Sequence, residues 1–321
     1  MNVSGSPRAD DPVDWVRAES PQLARWRSAV GSPLAIGPPA TEATEAEALV
    51  FGVWNTNVGA AYLGGFVGDL LAGRLTESAG RPIVLLLQEV HRGGGTVPDR
   101  PPHRARGARR IHGRPPSGER LDIHAVAARF GLHLYYVPSM RNGTPGEDGT
   151  PEDRGNAILS TLPISGLRAF ELPFERQRRV AISASVSGIW RGGERFTLNL
   201  VNVHLDPRSG GWRTHRSFGA GRAHQARWLA GALAHDAPTV IGGDLNTWFR
   251  GRREPAVAHL QSRFPLPEGA PRAGTRPVLR GLRALELDHV FVRAPWRADY
   301  RMLADAYGSD HFPLVGRLRP W

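Results

Sequence analysis

The chain has no cysteine. Disulfides, thiolate nucleophiles and thiolate-held metals are excluded together, so any metal must be bound by carboxylate, amide or imidazole. The redox compartment stays open on this ground. Lysine is absent too: all 41 basic residues are arginine, against 30 acidic residues, and the formal net charge is +11. Arginine's planar fork suits phosphate, which points to a polyanionic substrate or partner; codon bias is the other source of such an excess. No run approaches the roughly 18 apolar residues of a membrane span. The start, Met-Asn-Val-Ser-Gly-Ser-Pro-Arg, lacks the charged-then-apolar order of a signal peptide. A cytoplasmic monomer without a stable membrane anchor is therefore expected.

What is present is a substantial core, with 40% hydrophobic residues in 321. Residues 1–47 read as an extension: Trp15, Val16, Leu23, Trp26 and Val30 fit a short docking helix, and a Gly-Pro-Pro-led linker follows. One domain is expected over 48–321. Strands are expected at Leu49–Asn57, a run ending in the amides Asn55 and Asn57, and at Ile83–Leu87, Leu132–Val137, Arg179–Val186, Phe196–His204, Val240–Ile241 and Leu287–Val292. Helical spacing recurs from Leu63 through Leu75, in a segment capped by Ser117 that ends at Phe130, and from Ala223 to Leu233. Residues 91–117 read as a long basic loop able to track a phosphodiester backbone, and 250–284 as a Pro/Arg-rich connection. Buried strands alternating with amphipathic helices argue α/β, and the strand-rich tracts suit two packed sheets better than one doubly wound sheet.

The chemistry lies at the strand ends. Asn55, Glu89, His204, Asp244, Asn246, Asp288, Asp310 and His311 each follow or close an apolar run. If these ends point one way, they converge on a single concave site. The donor set, oxygens and imidazoles without sulfur, suits Mg²⁺ or Mn²⁺, with zinc the runner-up. Such parts serve phosphoester hydrolysis: a cation polarises a phosphoryl oxygen while an imidazole or carboxylate orients water for in-line attack. A histidine with a carboxylate partner is held in one tautomer, and Asp288 is the candidate partner of His311.

Six motifs, in order, carry a resemblance: Trp54-Asn55, Leu87-Gln-Glu89, Asn202-Val-His204-Leu, Gly243-Asp244-Leu-Asn246, Leu287-Asp288-His and Gly308-Ser-Asp310-His311-Phe-Pro. From about residue 48 onward the chain resembles the endonuclease/exonuclease/phosphatase superfamily, the group to which pancreatic-type deoxyribonuclease belongs. The resemblance implies a four-layer α/β sandwich of two packed mixed β-sheets flanked by helices. It implies a metal held chiefly by Glu89, with Asn55 and Asp310 nearby, and a phosphate held by Asn246, His204 and His311. His311 with Asp288, and Asp244, would share water activation and proton transfer, the identity of the base remaining open. Arg178, Asn57 and Asn156 are the expected substrate contacts.

Two positions depart from the deoxyribonuclease branch. His91 stands where that branch has arginine, and Arg179 where it has the glutamate that pairs with the histidine matching His204. Either His204 has another partner, or it works mainly as a phosphate donor. The expectation is a metal-dependent phosphodiesterase acting on nucleic acid. The rivals are a sphingomyelinase-like or small-molecule phosphoesterase with the same centre, for which Trp212 and Phe218 in a Gly-rich loop are the nearest to an exposed aromatic element, and a catalytically silent binding module.

Overall fold

The computed structural model describes residues 13–39, 45–76, 80–99, 119–142, 150–207, 219–234, 237–248, 250–268, 270–271, 274–278 and 283–320. Most of the basic loop expected over 91–117, the Ser117 cap, Trp212 and Phe218 lie outside the described residues. In chain order the strands are β1 (Asp14–Arg17), β2 (Leu34–Ile36), β3 (Glu45–Ala46), β4 (Leu49–Asn55), β5 (Ile83–Gly93), β6 (His133–Arg141), β7 (Glu152–Ser160) and β8 (Ile164–Glu171). They continue with β9 (Val180–Trp190), β10 (Arg195–His204), β11 (Thr239–Asp244), β12 (Arg276–Val278), β13 (Arg283–Leu285), β14 (Asp288–Val292), β15 (Trp296–Met302) and β16 (Leu314–Pro320). The helices are α1 (Pro21–Arg27), α2 (Leu63–Leu71), α3 (Ile123–Phe130), α4 (Ala220–Ala232) and α5 (Pro255–Gln261).

Two mixed sheets result. One runs β1-β8-β9-β10-β11-β14, with β3 also paired to β9; the other runs β15-β16-β4-β5-β7-β6-β2. Alternate side chains explain the layers, because successive residues of a strand face opposite ways. Phe51, Val53, Val84 and Leu86 of one sheet meet Ile182, Ala184, Leu200, Val240 and Val290 of the other in the central core. The opposite faces are closed by helices: Val50, Trp54, Leu85 and Leu87 pack with residues of α2 and α3, and Val201, Val203, Ile241 and Phe291 with residues of α4 and α5. Strands covered on both faces need no polar alternation, which is why β5 begins as an unbroken apolar run.

Helix ends follow local chemistry. The Asp122 side chain accepts from Ala125 N at 2.7 Å to start α3, and Gly131, with φ 62°, ends it in the left-handed conformation a side chain resists. The spacing from Leu63 predicts a helix reaching Leu75, yet α2 stops at Leu71 and Gly73, with φ 74°, turns the chain away. The connection expected over 250–284 contains α5 and the ribbon strand β12. Residues 13–39 are no appendage: β1 lies parallel on β8, β2 lies antiparallel on β6, and Leu23 of α1 is fully buried. Ala46 also sits in the central core. The packing therefore shows no break at residue 48.

This topology brings the strand ends together. In parallel pairing, β10 places His204 opposite Asp244 of β11, and β14 runs back with Asp288 opposite Asp244. In the other sheet Asn55 ends β4 opposite Gln88 of β5. Among the described residues no helix is long and apolar enough to cross a membrane.

Candidate active site

At β5 the pairing with β7 slips between Leu87 and Val90, a bulge that frees Gln88 and Glu89 from strict alternation. Gln88 turns inward and donates to Asn202 Oδ1 at 2.7 Å, tying the sheets. Glu89, at φ 57°, takes a backbone conformation uncommon for a residue with a side chain. The bulge sends its carboxylate into a cavity of about 420 Å³ whose wall also carries Asn55, His204, Asp244, Asn246, Asp310 and His311. Strain of this kind is retained where the surroundings over-determine it, commonly at working sites.

The two sheets are joined across this cavity. Asn55 Nδ2 of β4 donates to Asp244 Oδ2 of β11 at 3.0 Å; within the β4 sheet, Trp54 Nε1 donates to the carbonyl of His311, in the turn before β16, at 2.9 Å. Asn246, at φ 52°, gives its backbone N–H to Asp244 Oδ1 at 2.7 Å and its amide to the Leu205 carbonyl at 3.0 Å. Asp244 is thus held on both oxygens. His311 Nδ1 lies 2.8 Å from Asp288 Oδ2, and its Nε2 lies 3.8 Å from Asp244 Oδ2.

The electrostatics separate these groups. Burial disfavours a charged imidazole, yet Asp288, its hydrogen bond and the carboxylates of Asp244 and Asp310 push His311 up to about 9. Burial, with the negative charge of Asp288 adding, raises Asp244 to about 6 although the His311 cation opposes it. Asp288 is held below its ordinary value, because the His311 charge and hydrogen bond outweigh the effect of burial. Glu89 is likewise held low: burial raises it, but the charges of Arg154, Arg179 and His311 and the N–H of Val58 prevail. Near neutral pH the cavity therefore holds an ionised Glu89, a mostly ionised Asp244 and a protonated His311.

Glu89, Asn55 and Asp310 line the same cavity, and single donor atoms of Asp244, Asp288 and His311 lie within 4.8 Å of one another. Neither set contains sulfur, which suits a hard divalent ion. In the second set the His311–Asp288 hydrogen bond takes up Nδ1 of His311 and Oδ2 of Asp288.

The sequence matches the endonuclease/exonuclease/phosphatase family over residues 52–311. The chain belongs to that family. Its members are phosphoric ester hydrolases that generally use divalent metals. Similar solved structures include an endonuclease/exonuclease/phosphatase from Beutenbergia cavernae, at 18% identity and TM-score 0.57, covering 85% of this chain and 72% of that one. Another is a family protein from Leptotrichia buccalis, at 13% identity and TM-score 0.53, covering 84% and 99%. At such identities the likeness concerns the fold. Among curated proteins none matches the chain significantly.

Asn55, Asn57, Glu89, His204, Asp244, Asn246, Asp310 and His311 all line the one cavity, and Asp288 stands behind His311. Two expected substrate contacts, Arg178 and Asn156, do not line this cavity. Arg178 points away from the cavity, into a buried ion pair with Glu171 (2.5 Å) and onto the Pro138 and Ser139 carbonyls (2.7 and 3.1 Å). Asn156 spends its amide on the Val180 carbonyl at 2.8 Å, between the sheets. His91 is buried near Arg120 and Glu152, off the cavity wall, and burial lowers it to about 4.

Three arginines of the wall were missed as site residues. Arg154 Nη1 lies 3.4 Å from Glu89 Oε2, Arg276 Nη2 lies 2.6 Å from Asp310 Oδ2, and Arg179 Nη1 lies 3.0 Å from His204 Nδ1. Thr275 was missed too. Its hydroxyl accepts from the backbone of Leu287 and Asp288, both at 3.2 Å, and so fixes the start of β14. No sequence signal singles out Thr275 or Arg276, which sit in an unpatterned Pro/Arg-rich stretch.

Proposed function

We propose that this chain is a divalent-metal-dependent phosphodiesterase that hydrolyses DNA or RNA. The observation that carries the hydrolytic part is one cavity in which an acid at about 9, His311, and a carboxylate at about 6, Asp244, face each other at 3.8 Å beside ionised Glu89. Groups pushed apart in this way divide acid from base duty at neutral pH. The polyanionic substrate is supported by the formal net charge of +11 and by the arginines on the wall.

Asp244, held by Asn55 and Asn246, accepts a proton from the attacking water. The water oxygen bonds to phosphorus as the ester P–O bond breaks. His311, oriented by Asp288, gives its Nε2 proton to the leaving oxygen, so no alkoxide need leave. Asn246, which lines the same cavity, would bind a phosphoryl oxygen. Glu89, with Asn55 and Asp310, would hold Mg²⁺ or Mn²⁺, which when bound supplies Lewis-acid stabilisation of phosphoryl charge.

The test is a substrate panel run over several divalent ions: supercoiled plasmid, single-stranded DNA, RNA, phosphocholine lipid, a phosphomonoester and an aryl phosphodiester. Cleavage of the polymers, lost in Glu89→Ala and His311→Ala, is the expected result. Turnover confined to the lipid or the monoester would remove nucleic acid as substrate, and no turnover of any ester would remove the hydrolytic reading.

A further inference from the structure

The two imidazoles of the cavity face opposite kinds of partner. His311 Nδ1 faces the carboxylate of Asp288, at 2.8 Å. His204 Nδ1 faces the guanidinium of Arg179, at 3.0 Å, and both side chains are buried. A guanidinium has N–H donors and no acceptor, and it stays charged throughout the working pH range. Arg179 must therefore donate, and His204 Nδ1 must accept through its lone pair. A neutral ring whose Nδ1 accepts carries its proton on Nε2. That nitrogen faces the cavity, 3.5 Å from Asp244 Oδ2 and 3.8 Å from Glu89 Oε1.

We propose that Arg179 is a positioning residue that locks His204 in the Nε2–H tautomer and makes it a fixed hydrogen-bond donor to a phosphoryl oxygen. The lock stands on the Arg179–His204 geometry alone; only the identity of the acceptor rests on the phosphodiesterase reading. A second proton on the ring would have to displace the Arg179 hydrogen bond and set a cation against a buried guanidinium. The charged groups around the ring are Arg179, Arg154, His311, Glu89 and Asp244. Burial first, then the positive charges of Arg179, Arg154 and His311, hold His204 well below the ordinary imidazole value. Arg179 Nε is buried with no hydrogen-bond partner among the described residues, so its bond to His204 is the one that orients the guanidinium.

The two histidines are therefore unlike in function. His311, backed by a carboxylate, can carry and release a proton. His204, backed by a cation, can only donate a hydrogen bond that it keeps.

The experiment is long-range ¹H–¹⁵N correlation NMR on the metal-free full chain labelled at histidine nitrogens, with the His204 signals assigned by their loss in His204→Gln. At pH 7 the wild type should show His204 protonated at Nε2 alone. A ring protonated at Nδ1, or at both nitrogens, overturns the proposal without any variant. Arg179→Lys, which keeps a cationic donor, should retain the tautomer. Arg179→Glu should bring a proton to Nδ1, and an unchanged His204 spectrum in that variant would show that Arg179 does not set the tautomer.

Kinetics on an aryl phosphodiester then read the donor role. His204→Gln, which retains an N–H, should keep kcat within about 10-fold, whereas His204→Leu should lose about 100-fold or more. Equal loss in both variants overturns the donor role. A wild type with the expected tautomer but no hydrolysis of any ester would overturn the phosphodiesterase reading and, with it, the phosphoryl acceptor, while the Arg179–His204 lock would stand.

Discussion

His311 and Asp244 differ in the charge that backs them, and that difference sets how the site should respond to pH. With Asp244 raised to about 6 and His311 to about 9, kcat/KM should rise through about pH 6 and fall through about pH 9. Asp288→Asn removes the charge that holds the proton on His311, so the alkaline limb should move downward; an alkaline limb that stays in place would detach it from His311. The same group shapes stability. Its folded value lies above the ordinary 6.5, so its contribution is fully present below about pH 6.5 and is lost as pH rises through about 9. For this buried group the loss is on the order of 3 kcal/mol. Denaturant midpoints from pH 6 to 10, in wild type and His311→Gln, measure it, and the variant should lack the decline. Glu89→Gln should lower kcat by about 100-fold or more and abolish divalent-ion heat in titration calorimetry, with the fold unchanged. At this scale much was legible from sequence: Asp288 and His311 stand in two recognisable motifs, Leu287-Asp288-His and Gly308-Ser-Asp310-His311, and the hydrogen bond expected between them is present. Arg178 was not legible, because adjacent residues of an extended chain face opposite ways and the sequence does not say which faces the site.

The elements deliver these side chains by register and by two backbone irregularities. Gly243 carries the clearest constraint. At φ 153°, a Cβ there would stand 1.8 Å from the Val203 carbonyl oxygen of the paired strand. Gly243→Ala should therefore cost about 3 kcal/mol or more by disturbing the β10–β11 pairing just before Asp244, measurable by urea denaturation. Gly242, one residue earlier, faces the other sheet: a Cβ there would stand 2.5 Å from Val53 Cγ2, so the sheets approach closely here. The glycine pair was readable as a strand end free of side-chain clash. The β5 bulge was not, since nothing local in Leu-Leu-Gln-Glu-Val marks a change of register. Asn156 illustrates depth. It shares a face of β7 with Arg154 and Ile158, but it lies two residues, about 7 Å, below Arg154 at the rim. Arg154, not Asn156, lines the cavity from this face.

At the scale of the whole molecule, residues 13–39 close one edge of each sheet. Glu171, fully buried on β8, is paired by Arg178 and by Arg27 of α1, the latter at 3.3 Å. Asp153 of β7 accepts from the backbone N–H of Gly31 at 2.8 Å and from Arg92. Deleting residues 1–39 would uncover the edges of β8 and β6 and weaken the pairing of buried acids. The expected result is a Tm lower by about 5 °C or more, or aggregation, followed by calorimetry and light scattering. A truncated chain with unchanged Tm would show that these strands add nothing to the fold.

The sequence by itself determined the composition of the site and the class of fold, because apolar runs of strand and helix period recur along the chain and close on acids, amides and imidazoles. Sulfur-free donors likewise follow from the residue inventory alone. Only the tertiary structure decided which guanidiniums enter the cavity, which imidazole meets a carboxylate and which a cation, and how far apart their proton affinities lie. Those outcomes depend on sheet register, on a bulge and on burial, and each is set by contacts between residues distant in the chain.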